Sequence, residues 1–446
     1  LSGQPLYPAP TLEYAPLLYG PVYFYVSALL AKIIGLGMAQ LRFLSFVWSL
    51  GCLGVLYRFV SRETSSRFCA LVSVGLFAAT YGTVDWLDLA RADTLCLLLA
   101  VVGAYLLRWA QGPSRYGLAG ACLALSFLTK QTAAIFVAPL LLYAVTRGWR
   151  EFGAFAGAAC GLSGLGVALL HFASGGWSTF YLFREPSILF TAWRPFVLFW
   201  PHEVLLVLPV AVALCLLYFL DATDRQPMLF YACLGAGMAT ASWLYSLNWG
   251  AGPQGRVPIY FFLCLAIGLG TGRALNLLGE ASGNRKILCE NLLFGVLVIQ
   301  FAALFYNPHA IVPGQRDVAA GRQVVDEIAK IPGPVYVPGH VYLPVMAGKP
   351  SYIHILNLTT ILMVPNRPET EPLRAELHEA LSQKRFSAII LDSDRENVEM
   401  IDNVYRTDLL ANYTEVREIP YVDNWAMRIT VYRPQFIYVP KAAVAP

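Results

Sequence analysis

Apolar positions fall into long blocks rather than short alternations. The blocks run over Leu41–Val60, Phe68–Val84, Thr94–Ala110, Gly117–Leu128, Thr132–Val145, Phe152–Ala173, Val197–Leu220, Pro227–Leu247, Val257–Leu269 and Ile287–Tyr306. A helix of roughly 20 apolar residues crosses a bilayer core of about 30 Å, so the pattern predicts about ten helical spans. Gly117–Leu128 and Thr132–Val145 are short and meet at Thr129-Lys130-Gln131; they read as two short crossings or as a re-entrant pair. An earlier run, Leu17–Leu36, is interrupted by Gly20-Pro21 and crowded with Tyr19, Tyr23, Phe24 and Tyr25. Aromatic side chains concentrate at the membrane interface, so this run is expected to lie along the surface as a juxtamembrane helix.

From Asn307 the blocks give way to shorter periods. Pro334–Val337 and Phe386–Leu391 read as buried strands, and Glu371–Lys384 as an amphipathic helix. Thr414–Ile419 and Met427–Tyr432 read as a closing strand pair. The expected architecture is therefore a polytopic α-helical membrane protein with a C-terminal soluble α/β domain. Residues 1–40 form an outer loop and juxtamembrane helix, 41–306 the transmembrane domain, and 307–446 the α/β domain.

Composition supports the membrane reading. The 446 residues are 57% hydrophobic and 13% charged, against about 25% charged in soluble domains. A net charge of +4 gives no nucleic-acid signal. Nine cysteines all lie in or beside apolar runs, with no Cys/His metal spacing; they read as small buried hydrophobes.

Basic residues set the expected orientation, because cytoplasmic loops carry the excess of Lys and Arg. One set of loops holds Arg58, Arg62, Arg67, Arg108, Arg115, Arg147, Arg150, Arg225, Arg273, Arg285 and Lys286. The other holds Arg91, Lys130, Arg184, Arg194 and Arg256, with Lys32 and Arg42 at its edge. The richer set is assigned to the cytoplasm. The turn Asp85-Trp86-Leu87-Asp88-Leu89-Ala90-Arg91-Ala92-Asp93 then faces outside, as does the C-terminal domain.

That turn packs three carboxylates and a guanidinium between two apolar runs, and near-membrane charges are costly. The same face carries Glu13, Tyr19, Lys130, Arg184 and the Gly-rich turn ending in Arg256. Such a set suits a phosphate-bearing substrate and a polar group transferred at the membrane surface. Carboxylates serve as bases; Lys and Arg neutralise a phosphate leaving group. Asp88, Asp93 and Glu13 are the candidate catalytic residues. Asp85, Arg91, Lys130, Tyr19, Arg184 and Arg256 are the candidate substrate contacts. Plainer roles stand beside these. Asp93 can cap a helix, Arg91 can pair with Asp88, Lys130 can snorkel to the interface, and Arg256 can anchor there. His171 and His202 read as interfacial or core residues, while His340 and His354 show no metal partners along the chain. The outer loops contain no DxD-type motif, which favours a metal-independent reaction; no cofactor is assigned, and a divalent metal stays an open alternative.

The stretches YAPLLYGPVYFYVSALLAKIIG and LRFLSFVWSLGCLGVLYRFVSR, then LARADTLCLLLAVVGAYLL, GLAGACLALSFLTKQTA and the turn ending Arg256-Val257-Pro258, resemble in order the GT-C membrane glycosyltransferases. These include protein O-mannosyltransferases and the lipid A aminoarabinose transferase. The resemblance covers about residues 1–306, and the tail looks like the outer α/β domain of many bacterial members. It implies inverting transfer of a sugar from a polyprenyl-phosphate donor to a lipid, glycan or protein acceptor, outside the cytoplasmic membrane. It matches Asp88, Arg91 and Asp93 to the family's second acidic region and Lys130 to its LTK segment. The family's principal base lies in a first outer loop that the resemblance sets before Leu1, so an N-terminal piece is expected to be missing. Related bacterial chains often carry His and Asn where Asn248 and Gln254 stand, which weakens a direct role for those two. Two other readings stand beside it: a transporter or flippase of a lipid-linked or small solute, which would use the same charges as a pathway, and a non-catalytic membrane assembly protein, in which the C-terminal tail is the functional part.

Overall fold

The computed structural model describes residues 5–35, 37–188, 193–221, 224–248, 252–280, 282–310, 312, 314–364, 367–392, 405–419 and 433–442. The chain divides into two compact units. One holds Tyr19–Leu182 and Ile188–Tyr306; the other holds Gln4–Leu18, Phe183–Ser187 and Asn307–Pro446.

The first unit is helical. Helix α1 (Pro21–Ile34) starts with Pro at its first position, where the missing N–H costs nothing. Its 14 residues reach about 21 Å, too short for a bilayer core, as its aromatic sequence suggests. Then follow α2 (Met38–Thr64), α3 (Arg67–Ala79), α4 (Ala92–Arg108), α5 (Pro113–Thr129) and α6 (Ala133–Val145). Helix α7 (Trp149–Ala173) contains a π-turn at Gly157–Gly161. Helices α8 (Pro195–Leu205) and α9 (Pro209–Leu220) form a pair bent by 86°. Helices α10 (Arg225–Tyr245), α11 (Val257–Gly279) and α12 (Gly283–Ala303) complete the unit. By length and composition, α2, α7, α10, α11 with its preceding turn, and α12 are five candidate spans, and the bent pair makes a sixth. The other apolar runs form helices of 13 to 17 residues.

Helix α11 is the hub. Every residue from Ile259 to Gly272 is buried, with Phe261 edge-on to Phe77 of α3 at 5.3 Å. By contrast α7 and α12 expose Leu165, Leu169, Phe172, Leu288 and Val298, as lipid-facing helices do. The bend between α8 and α9 leaves backbone groups unpaired, and in lipid these must be satisfied from within. Gln300 of α12, fully buried, does so: its Oε1 accepts from Val210 N–H at 3.2 Å and its Nε2 donates to Val207 O at 2.9 Å.

Opposite ends of the long helices carry different polar groups. Where α2 and α4 finish, Arg108 pairs with Glu63 at 2.8 Å, Tyr231 donates to Glu63 at 2.9 Å, and Arg62 stacks on Trp109 at 4.7 Å. Arg147 donates to Tyr116 at 3.1 Å and to Gln226 at 3.0 Å. The other end of α4, where the helix begins, carries the candidate site.

The second unit is built on a four-stranded sheet in the order β1-β2-β4-β3. Strands β1 (Val335–Tyr336) and β2 (Ala388–Asp392) are parallel; β2 with β4 (Pro434–Pro440), and β4 with β3 (Tyr413–Glu418), are antiparallel. All five residues of β2 are buried, as in a strand covered on both faces. One face packs Val324 and Ile328 of α13 (Gln315–Lys330) onto Val335, Ala388, Ile390 and Ile437. Elsewhere Tyr336 stacks on Phe386, and Tyr352 meets both rings edge-on. Further helices are α14 (Ile355–Leu362), α15 (Glu371–Ser382) and α16 (Arg406–Asn412). The expected strand at 414–419 is β3, whereas 427–432 lies outside the described residues and β4 supplies the partner.

The early segment belongs to this unit. Leu12 is fully buried, its N–H donates to Glu376 at 2.9 Å, and its carbonyl accepts from Ile353 N–H at 2.8 Å. Asn357 donates to the carbonyls of Ala15 and Pro16 at 2.8 and 3.0 Å.

Candidate functional site

The site grows from the turn before α4. Trp86 anchors it: the ring is buried, 4.3 Å from Phe77, and its indole N–H donates to Thr80. Ser49 of α2 donates to Leu87 O at 2.7 Å. With the turn pinned at its centre, its charges divide.

Asp88 accepts from Tyr81 at 3.1 Å and pairs with Arg42. Arg91 and Asp93 instead join Lys130, which sits where α5 ends and α6 begins. Lys130 Nζ lies 2.6 Å from Asp93 Oδ1, and Arg91 Nε 3.2 Å from Asp93 Oδ2. Arg91 also donates to Tyr19 at 2.7 Å and to Gln254 at 3.4 Å. The Lys130 ammonium rests over the rings of Tyr245, at 4.6 Å, and Tyr19, at 5.6 Å, a cation–π arrangement. Its side chain is only 8% exposed, so it does not snorkel.

Two glycines let the aromatic walls close in. Gly20 N–H donates to Thr129 O at 3.1 Å, and a Cβ at Gly20 would collide with the Leu128 carbonyl. This contact seats Tyr19 beside the end of α5. A Cβ at Gly255 would collide with the Tyr245 ring. Beside the cluster, a cleft of about 30 Å³ is lined in part by Asp93, Cys96, Lys130, Phe136, Tyr245 and Gln254. It has room for a water or two, so it marks an opening beside the charges rather than a preformed sugar pocket.

The arrangement has a clear electrostatic consequence. Two permanent cations, Arg91 and Lys130, share one carboxylate in a largely desolvated place. The surplus of one positive charge is suited to an anion with oxygens to spare, and a phosphate is the natural fit.

The remaining candidates make other pairs. Arg256 pairs with Glu203 at 2.9 Å, and Tyr260 donates to the Glu203 carbonyl at 2.8 Å. Glu13 pairs with Arg385, and Arg184 with Glu369, both within the second unit. Asp85 lies in the same turn and keeps an interaction of its own. Among the described residues, no three of His, Cys, Asp and Glu are grouped to hold a metal ion.

Tyr245 and Glu203 are contacts that the linear pattern did not single out, while Gln254, whose direct role the resemblance weakened, accepts from Arg91. Glu203 carried a signal, since a carboxylate inside an apolar run is a functional flag. Tyr245 and Gln254 flank the Gly-rich turn, and their meeting with Lys130 and Arg91 depends on how α5 and α10 are arranged.

Residues 16–177 match the family model described as dolichyl-phosphate-mannose-protein mannosyltransferase. No curated protein matches the sequence. The fold is similar to the crystal structure of ArnT from Cupriavidus metallidurans bound to undecaprenyl phosphate, with TM-score 0.57 and 14% identity over 99% of this chain and 91% of that one. The apo ArnT structure gives TM-score 0.58 at 14% identity, with the same coverage. The Archaeoglobus fulgidus oligosaccharyltransferase, tethered to an acceptor peptide, gives TM-score 0.52 at 12% identity over 100% of this chain and 69% of that one. These matches bear out the resemblance read from the sequence. The chain has the fold of the GT-C membrane glycosyltransferases.

Proposed function

We propose that this protein transfers a sugar from a polyprenyl-phosphate donor to a lipid, glycan or protein acceptor outside the cytoplasmic membrane, with inversion at the anomeric carbon. The observation that carries this reading is the partly buried Arg91–Asp93–Lys130 cluster with its surplus positive charge. In the reaction the acceptor oxygen bonds to the anomeric carbon as the bond from that carbon to the lipid phosphate oxygen breaks. The acceptor proton passes to a carboxylate, and the departing polyprenyl phosphate gains negative charge. Arg91 and Lys130 stabilise that charge. Asp93 holds both cations and is a positioning residue. Asp88, with its side chain 31% exposed, is the carboxylate of the turn better able to meet an acceptor. Tyr19 and Tyr245 wall the phosphate site, and Arg256, held by Glu203, is a further substrate contact. No metal or other cofactor is assigned to the transfer.

The similar ArnT structure carries undecaprenyl phosphate, and the similar archaeal enzyme carries an acceptor peptide; both support a lipid-linked donor and a separate acceptor on this fold. About ten crossings, with the charged turn and the C-terminal α/β domain outside, complete the proposal. Arg62, Arg108 and Arg147, gathered at the opposite helix ends, suit the cytoplasmic side.

The test is transfer in proteoliposomes supplied with labelled undecaprenyl-phosphate and dolichyl-phosphate pentoses and hexoses. Arg91→Ala and Lys130→Ala should each lower turnover on the order of 10²-fold or more, the loss typical of one charge-stabilising donor. No consumption of any lipid-linked sugar by the intact protein, or variants within about threefold of wild type, would defeat the reading.

A further inference from the structure

Residues 5–18 carry Pro5, Pro8, Pro10 and Pro16 and form neither helix nor strand, so their backbone groups need partners from elsewhere. The second unit, to which this strap belongs, supplies them. Thr11 and Tyr14 exchange backbone hydrogen bonds at 3.1 and 3.2 Å, which closes a turn around the buried Leu12. Past the turn, Asn357 of α14, only 4% exposed, takes hold. Its Nδ2 donates to the Ala15 carbonyl at 2.8 Å and to the Pro16 carbonyl at 3.0 Å, which uses both of its hydrogens.

Tyr19 follows Pro16 by three residues and belongs to the other unit. Three residues of extended chain reach at most about 10–11 Å. Pro16 fixes its own φ and steers Ala15 to extended backbone, so little slack separates the Asn357 amide from Tyr19. Tyr19 is held from its own side as well. Its hydroxyl accepts from Arg91 at 2.7 Å, its ring lies 5.6 Å from the Lys130 ammonium, and the next amide, Gly20 N–H, donates to Thr129 O at 3.1 Å. One short piece of backbone is thus fastened to a buried side-chain amide at one end and to both cations of the candidate site at the other.

We propose that Asn357 is a positioning residue for the phosphate site: it fixes the strap by the Ala15 and Pro16 carbonyls and, through the Leu18–Tyr19 peptide bond, sets where the Tyr19 hydroxyl meets Arg91. The inference rests on the reading of Arg91 and Lys130 as the phosphate-binding pair. Donor affinity then depends on the second unit through the backbone, and loosening the strap weakens the site without touching either cation.

The full chain in detergent is followed by hydrogen exchange of the peptide carrying Gly20 and by native mass spectrometry of undecaprenyl phosphate binding. Asn357→Ala should speed exchange of that peptide about threefold or more and weaken undecaprenyl phosphate about 3- to 30-fold, within the range of coupled neighbours. Asn357→Asp, which sets carboxylate oxygens against two carbonyls, should act at least as strongly. Inserting Gly-Ser-Gly between the exposed Leu17 and Leu18 adds slack; it should reproduce both effects and leave Asn357→Ala nothing further to change. In a Tyr19→Ala background, Asn357→Ala should no longer alter affinity. If the Asn357 variants fail to fold, the insertion carries both readouts. The proposal is overturned if Gly20 exchange is unchanged in these variants, or if Asn357→Ala weakens binding equally with and without the Tyr19 side chain, as a general loss of structure would. Failure of the wild type to bind undecaprenyl phosphate overturns the phosphate reading itself, a result separate from the exchange of Gly20, which decides the strap.

Discussion

Asp93 and Lys130 form one ion pair, yet their removal should have opposite effects on a bound phosphate. In Lys130→Met the cluster falls from one surplus positive charge to none, while Arg91 still holds Asp93. A unit charge about 4 Å from a phosphate is worth about 4 kcal/mol at an effective dielectric of 20, and a charge-assisted hydrogen bond about 1.5–3 kcal/mol net. Taking the lower range, the affinity for polyprenyl phosphate should drop about 10- to 100-fold. In Asp93→Asn the surplus rises to two charges, so phosphate affinity should hold or increase. Stability should move the other way. Breaking a buried pair costs about 3–5 kcal/mol when it strands a charge; Asp93→Asn strands two cations, whereas Lys130→Met leaves Asp93 with Arg91. The assays are native mass spectrometry of undecaprenyl phosphate binding and thermal unfolding in the same detergent. If both variants lose phosphate affinity equally, the ion pair is a structural clasp and the anion-site argument fails.

Gly20→Ala forces a methyl against the Leu128 carbonyl; overpacking of about 1–3 kcal/mol should lower the melting temperature and displace Tyr19, with turnover falling more than stability alone accounts for. Gln300→Leu removes both bonds that satisfy the α8–α9 bend and should cost about 1–2 kcal/mol in reversible unfolding; no loss would mean the bend is satisfied otherwise. Arg367→Ala deprives the fully buried Glu185 of its partner at 2.8 Å, so about 3–5 kcal/mol of stability should vanish from the second unit, with Glu185→Gln in the same background restoring part of it. For Glu13, burial alone would raise the carboxyl pKa, but the Arg385 hydrogen bond outweighs it and holds the pKa below the ordinary value. A depressed carboxylate contributes stability above its unfolded pKa and loses it as pH falls through the folded one. Hydrogen exchange over residues 5–18 should therefore accelerate below about pH 4 and should already be faster at neutral pH in Arg385→Ala.

Much of the helical architecture is legible because a bilayer imposes a local signature. Twenty apolar residues declare a helix whatever they later touch, so the runs at 41–60, 152–173 and 287–306 appear at nearly the same places in the structure. Prolines interrupt that signature. Val197–Leu220 reads as one apolar run, but Pro209 cannot continue a helix without losing a hydrogen bond, and the structure bends there by 86°. That bend turns Glu203 towards Arg256, so a carboxylate hidden inside a supposed span becomes a polar contact.

The pairings inside the charged turn obey a different logic. Asp85–Asp93 looks like a single cluster because its charges are adjacent along the chain. Trp86, buried against Phe77, splits it instead. Asp88 turns to Arg42 of α2, while Asp93 meets Lys130, 37 residues away, and Arg91 meets Gln254, 163 residues away. No local periodicity encodes those partners, because they follow from which helix ends share a face of the bundle. Glu13 and Arg184 show the same thing from the other direction. Both flank apolar runs and so look like membrane-face charges, but their partners Arg385 and Glu369 lie in the C-terminal unit. Conversely, Lys130 stood out because a lone ammonium between two short apolar helices must either reach water or find a carboxylate, and burial at 8% exposure shows which. The residue types could be read from the chain; their partners came only with the packing of α1, α4, α5 and α10.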